Sequence, residues 1–228
     1  MNSLLRRIRR LPLKAFYVFL IRKNRTLLTL GDECKWTFCP TSLDSNSVVY
    51  SGGVGRDITF EHALVKRFGC RVFLFDPSPP GEATMKLPEN QIPEFVFAPV
   101  GLAGAPCTIQ LSPPRDGDIL RSSWMFTGMK AEGSLEVQCL DLLTLMMRNG
   151  HREIDLLKID IEGAEYGVLE QILRDRIAVR QLLVEFHHGI IPGIFGTSSM
   201  RSILKLISQG YHLIDVDGNN HTFVHKSF

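Results

Sequence analysis

The chain has 228 residues, enough to bury one substantial core and too few for two complete domains. Its 44% hydrophobic and 22% charged residues exclude a long disordered chain and a multi-span membrane protein. The net charge of +2 is uneven: eight basic residues (Arg6, Arg7, Arg9, Arg10, Lys14, Arg22, Lys23, Arg25) precede Asp32 with no acidic one, and the acidic remainder excludes a body built to grip nucleic-acid phosphates.

Residues 1–40 read as a basic extension and residues 41–228 as one domain. The apolar run Ala15 to Ile21 falls short of the roughly 18–20 residues a bilayer span needs. Arg22-Lys23-Asn24-Arg25 stands where a signal peptide would place small residues for cleavage, so a cytoplasmic location is expected. Two readings of the arm stay open: an amphipathic segment, residues 4–25, lying on the anionic inner membrane surface, or a partly helical extension packed on the domain. Cys34, Cys39, Cys70, Cys107 and Cys139 are odd in number and form neither a C-x-x-C pair nor a zinc set, the pattern of packed thiols in a reducing compartment.

After Pro40, strand-like and helix-like segments alternate, as in parallel βαβ construction. Ser47 to Ser51 predicts a buried strand. Ile58 to Phe68 predicts a helix with Phe60, Leu64 and Phe68 on one face, closed by Gly69. Arg71 to Phe75 is a second strand, ended by Asp76-Pro77-Ser78-Pro79-Pro80, and Phe95 to Ala98 a third. From Gly101 to Gly133 the pattern thins into a variable loop or lid with one short strand, Thr108 to Leu111. Leu135 to Cys139 (strand), Asp141 to Arg148 (helix), Ile154 to Asp160 (buried strand) and Ala164 to Arg174 (helix) follow. Gln181 to Phe186 is the next strand and Ser198 to Gln209 a helix ended by Gly210. Tyr211 to Val216 and His221 to His225 form a terminal hairpin around Asp217-Gly218-Asn219-Asn220. The sum is a doubly wound, mostly parallel α/β sheet finished by an antiparallel hairpin.

Two constellations carry chemistry. The first is V-V-Y-S-G-G-V-G-R-D at residues 48–57, a strand entering Gly52, Gly53 and Gly55, where missing side chains let the backbone approach a ligand. Asp76 ends the next strand 23 residues after Gly53, near the offset at which a carboxylate meets ribose hydroxyls. Together they read as a nucleoside site, against the plainer reading of a sharp βα turn and a turn cap. A dinucleotide fingerprint needs glycine at position 58, where this chain has Ile58.

The second is L-L-K-I-D-I-E-G-A-E-Y at residues 156–166, followed by L-V-E-F-H-H, which brings Asp160 and Glu162 from one strand end beside Glu185, His187 and His188 from the next. Strand alternation puts Glu185 and His187 on the same side and His188 on the other. His187 is the candidate general base, oriented by Glu185 or Glu162, with Asp160 touching the cofactor or the acceptor. A competing reading makes Asp160, Glu185 and His187 a divalent-metal site. The plainer alternatives are a helix N-terminal charge for Glu162 and a half-buried histidine for His188.

These stretches, together with F-G-C-R-V-F-L-F-D-P-S-P and V-G-L-A-G, resemble the FkbM-type methyltransferase family over roughly residues 47–190. The resemblance implies a class I, Rossmann-like fold of seven strands, S-adenosyl-L-methionine as methyl donor, and a hydroxyl acceptor on a sugar, glycolipid or secondary metabolite. It implies cofactor contacts at Gly53, Gly55 and Asp76, with Val100 and Gly101 near the adenine and Asp160, Glu162 and Gly163 at the family's signature turn. Many class I enzymes open the glycine motif with an acidic residue; here Val49, Tyr50 and Ser51 hold that stretch, so the methionine amine is left to Ser51 or a backbone carbonyl. The expected activity is O-methylation of a small hydroxylated acceptor, with Trp124, Met125 and Phe126 as a wall for it or as ordinary packing. The rivals are an NAD-linked oxidoreductase and a non-catalytic S-adenosylmethionine-binding module at the membrane.

Overall fold

A computed structural model describes residues 17, 20–22, 26–113, 124–126, 132–187 and 197–227. Two short strands, β1 (Leu28–Leu30) and β2 (Trp36–Phe38), pair antiparallel ahead of the main sheet. That sheet contains β3 (Val48–Gly52), β4 (Arg71–Phe75) and β5 (Phe95–Ala98) from the first half of the domain. Its second half contributes β10 (Ile154–Ile159), β11 (Val179–Glu185), β12 (Tyr211–Asp217) and β13 (Asn220–His225). The spatial order is β12-β13-β11-β10-β3-β4-β5, parallel from β11 to β5, with β13 antiparallel to both its neighbours. The seven-stranded, doubly wound sheet read from the sequence is therefore present. Its strand order reverses between β3 and β10, and the crevice at their carboxyl ends is where open α/β sheets bind ligands.

Alternation along the strands divides the interior into two cores. Leu157 and Ile159 of β10 face a large cluster with Tyr50, Phe75, Val184 and Phe186. Helices α3 (Leu142–Asn149), α4 (Glu165–Asp175) and α5 (Thr197–Ser208) supply Leu145, Leu169 and Ile203 to it. Leu156 faces the opposite cluster, with Val49, Val72 and Leu64 of α1 (Thr59–Phe68). There Trp36 and Phe38 of β2 are buried against Phe60, with ring centroids 6.5 and 5.9 Å away.

Three features depart from the sequence reading. The β1–β2 hairpin was read as extension, yet Trp36 and Phe38 carry the packed core back before residue 41. The prolines after Asp76 open a helix instead of only closing a strand: Ser78 caps α2 (Pro79–Met85) by accepting from the Gly81 N–H, and proline at the first helical position gives up no needed hydrogen bond. The segment from Gly101 to Gly133, read as a loop or lid with one short strand, holds three strands, β6 (Gly101–Leu102), β7 (Cys107–Ser112) and β8 (Met125–Phe126), which join the expected strand β9 (Leu135–Leu140) in a second sheet of order β6-β9-β7-β8.

Of the basic arm, Tyr17, Leu20 and Ile21 pack against the larger core, the Tyr17 hydroxyl lies 2.8 Å from His221 Nε2, and the Arg22 N–H donates to the Leu213 carbonyl. Among the described residues no helix is long and apolar enough to cross a membrane, and all five cysteines are free thiols.

Candidate active site

The glycine turn leaves β3 directly against β10. Gly53 has φ of 87°, and a Cβ there would sit 1.8 Å from the Asp160 carbonyl oxygen, so neither the conformation nor the space admits a side chain. Asp76, at the end of β4, is 6% exposed. Its Oδ2 accepts the Val54 and Gly55 N–H groups at 2.9 and 2.8 Å, and its Oδ1 accepts the Ser78 N–H at 2.7 Å. From the other side, Lys158 Nζ donates to the Gly53 carbonyl at 2.8 Å. The Gly53–Val54 peptide is thus held at its oxygen by a buried ammonium and at its N–H by a buried carboxylate.

Lys158 and Glu61 form an ion pair of 3.3 Å at side chains 3% and 1% exposed, and the Ser51 hydroxyl donates to the same Glu61 oxygen at 2.6 Å. Burial works against the ammonium, but Glu61 and then Asp160 outweigh it and raise its pKa. Nothing in the sequence reading had given Lys158 or Glu61 a role. The signal was a lysine inside an otherwise apolar strand, since a buried charge requires a partner.

A cleft of about 670 Å³ opens above this turn, lined by Gly53, Gly55, Asp76, Gly101, Trp124, Asp160, Glu162, Glu185 and His187 among others. Both predicted constellations therefore face one space. Ser51, Gly52 and Val100 are not in its lining: the Ser51 hydroxyl is spent on Glu61, Gly52 abuts the Ile161 and Leu102 side chains, and Val100 packs against the larger core. Ser51 is thus unavailable for the methionine amine. Cys34, in the turn of the β1–β2 hairpin, also lines the cleft; burial raises its thiol pKa and its N–H donates to Asp57 Oδ2.

At the far end, β10 and β11 deliver the acidic groups. Glu162 sits at φ 55°, a left-handed conformation costly for a side-chain-bearing residue, and Gly163 follows at φ 113°. His187 Nδ1 is 2.6 Å from Glu165 Oε1, while its Nε2 is 3.3 Å from Glu162 Oε2 and 3.9 Å from Asp160 Oδ1. The Nδ1 partner is therefore Glu165, fully buried, and not Glu185 or Glu162 as the sequence suggested. A first-turn helical side chain points back toward the helix N-terminus, which is how Glu165 of α4 reaches the strand ends. Asp160, Glu185 and His187 each offer one ligand atom, all within 4.8 Å of one another. His188 lies outside the described residues.

The charged groups of this cluster shift one another. Burial opposes the charged imidazole, but Glu165, Glu162 and Asp160 outweigh it and push His187 up to about 9. Burial, then Asp160, push Glu185 up to about 7. That raised pKa favours the imidazolium form of His187, which weighs against its reading as the base and leaves the neighbouring carboxylates as the candidates for that role.

The strand order, with its glycine turn and carboxylate beneath one cleft, defines the class I methyltransferase architecture. The model of the methyltransferase FkbM domain matches residues 49–213, and the chain belongs to that family of S-adenosylmethionine-dependent methyltransferases. The oxidoreductase reading falls with that match. No curated protein matches the sequence. Among solved structures, a Methanococcus jannaschii fibrillarin pre-rRNA processing protein aligns with TM-score 0.44 and 11% identity over 89% of this chain and 82% of its own. Monomeric WbdD aligns at 0.41 and 13%, over 78% of this chain and 35% of its own. An rRNA methylase from Streptococcus thermophilus aligns at 0.40 and 11%, over 79% and 86%.

The residues present fit the family's cofactor. The Gly53 position leaves backbone where a Cβ would intrude, and Asp76 Oδ2 is filled by two N–H groups while Oδ1 keeps one lone-pair site for a ribose hydroxyl.

Proposed function

We propose that this chain methylates a hydroxyl oxygen on a small acceptor of the sugar, glycolipid or secondary-metabolite class. The supporting observation is that the nucleoside cradle at Gly53 and Asp76 and the cluster of Asp160, Glu162, Glu185 and His187 line the same cleft. S-adenosylmethionine supplies an electrophilic methyl group when bound. A hydroxyl acceptor loses its proton as its oxygen takes that methyl group, so it needs an anionic neighbour. The carboxylates Glu185 and Glu162 serve as that neighbour, and the His187 imidazolium holds Glu162 and Asp160 in place against their mutual repulsion. Glu165 anchors the ring from behind. Trp124, half-buried in the cleft wall, offers an apolar face to a sugar ring. The eight basic residues before Asp32 favour acceptors presented at an anionic membrane surface.

The test is transfer of a radiolabelled methyl group from S-adenosylmethionine to hydroxylated acceptors by the full chain, with calorimetry of S-adenosylhomocysteine as the cofactor measurement. Label recovered on nitrogen or carbon would overturn the oxygen assignment. Absence of any affinity for S-adenosylhomocysteine would overturn the cofactor site with it.

A further inference from the structure

We propose that Asp160, Glu185 and His187 form a binding site for a divalent cation of the Mg²⁺ or Mn²⁺ class, open on its cleft side toward the acceptor. Three ligand atoms come from the carboxyl end of β10, the last residue of β11 and the segment just after it, all within 4.8 Å of one another. Donor atoms around one such ion lie roughly 3–4 Å apart, given bond lengths of about 2.0–2.2 Å. The observed spacing thus needs only a small contraction of side chains that stand at the cleft surface, Asp160 at 22% and His187 at 13% exposure.

Two further observations point to a cation. Glu165, fully buried, occupies Nδ1 of His187, the arrangement in which an outer carboxylate fixes a metal-binding histidine so that Nε2 faces the ion, which takes the place of the Nε2 proton released on binding. Its second oxygen, Oε2, is buried without a hydrogen-bond partner among the described residues, an unsatisfied acceptor on the carboxylate that backs this cluster. Four carboxylates, those of Asp160, Glu162, Glu165 and Glu185, converge on one imidazole. The neighbouring cation, Lys158, is already committed to Glu61 and the Gly53 carbonyl. Two carboxylate oxygens and one imidazole nitrogen form a hard donor set, matched to Mg²⁺ or Mn²⁺ rather than to a thiophilic ion.

The catalytic consequence rests on the proposed hydroxyl methylation; the ion site itself does not. An acceptor hydroxyl bound to the ion becomes more acidic, and its proton passes to Glu162, which lines the cleft and is not a ligand. The oxygen's electron pair then forms the C–O bond while the S–CH₃ bond breaks. The bonding pair stays on sulfur, leaving a neutral thioether.

The experiment is a Mn²⁺ titration of the full chain followed by electron paramagnetic resonance, alongside calorimetry of S-adenosylhomocysteine. One saturable Mn²⁺ per chain is expected, with affinity at least about tenfold weaker in Asp160→Asn and Glu185→Gln and about 10–100-fold weaker in Glu165→Gln. Glu170→Gln, at an exposed carboxylate paired with Lys205, leaves it unchanged. Should Glu165→Gln fail to fold, His187→Gln carries the test of the imidazole arm. Absence of saturable Mn²⁺ binding up to millimolar concentration, or binding equal in wild type and in Asp160→Asn and Glu185→Gln, overturns the ion site. If S-adenosylhomocysteine still binds in that case, the methyltransfer reading survives. Saturable Mn²⁺ without S-adenosylhomocysteine affinity overturns the methyltransfer reading and leaves the ion site standing.

Discussion

The glycine turn is held by charge, and Lys158 is the place to test that. Lys158→Met removes an ammonium 3% exposed and leaves Glu61, 1% exposed, without its counter-charge. Orphaning one member of a buried pair costs about 3–5 kcal/mol. For a domain of this size each kcal/mol moves the melting temperature by about 2–4 °C, so Tm should fall by roughly 6–20 °C. The double variant Lys158→Met/Glu61→Gln removes the stranded charge while its amide oxygen still accepts from the Ser51 hydroxyl. Most of the lost stability should return, because replacing both members of a buried pair is far cheaper than breaking it.

What the double variant does not restore is the hydrogen bond on the Gly53 carbonyl. A hydrogen bond from a charged donor contributes about 1.5–3 kcal/mol, and the freed peptide can rotate away from the orientation that Asp76 alone holds at its N–H. Calorimetry should find S-adenosylhomocysteine bound about tenfold more weakly to the double variant, a loss of about 1.4 kcal/mol. Wild-type affinity in a well-folded double variant would show that Lys158 does not set the peptide. A Lys158→Met chain that melts with the wild type would show that the pair is not the buried one described.

Asp76→Asn replaces an acceptor of three N–H groups by an amide with one oxygen, and should weaken S-adenosylhomocysteine at least about tenfold by calorimetry; an unchanged Kd refutes the ribose assignment. Gly53→Ala meets backbone at 1.8 Å and should abolish cofactor binding or folding, whereas Gly55→Ala, with open space around it, should cost only about 1–2 kcal/mol for its positive φ; equal melting curves would refute the contrast. Because Glu185 acts ionised, as proton acceptor or as ligand, methyl transfer should rise with pH through about 7, and Glu185→Gln should lose that rise. His187 has its folded pKa raised to about 9 from 6.5, so its stabilising contribution is complete below pH 6.5 and is lost as pH rises through 9. That loss is worth about 3 kcal/mol at most, and Tm measured from pH 6 to 9.5 should fall less steeply in His187→Gln.

Much of the main sheet was legible because burial on both faces forces apolar runs such as Arg71 to Phe75, which the structure reproduces residue for residue. The hairpin at Leu28–Phe38 was not, because three-residue strands have no periodicity to read and their reason for existing, the contact of Trp36 and Phe38 with Phe60, is made across the fold. Proline at Pro79 and Pro80 signalled an end when it marked a beginning, since the same fixed φ that closes a strand also starts a helix. In the site, Asp160, Glu185 and His187 could be placed together from strand ends alone. Glu165 and Lys158 could not, since their roles depend on which way a first-turn side chain and a strand residue point after packing.

The two halves of the cleft solve opposite electrostatic problems. Under the cofactor cradle the charges are closed into pairs: Lys158 with Glu61, and Asp76 with three backbone N–H groups. That closure makes a rigid platform whose geometry does not depend on what binds. At the strand ends the opposite holds. A glutamate at positive φ, and an aspartate and glutamate facing one another, fall around one imidazole ring. Each is a local cost that the rest of the fold must over-determine, and such costs persist where chemistry requires them. Rigid positioning therefore resides at the ends of β3 and β4, and the proposed reactivity at the ends of β10 and β11. The parallel order of these four strands keeps the two within one cleft.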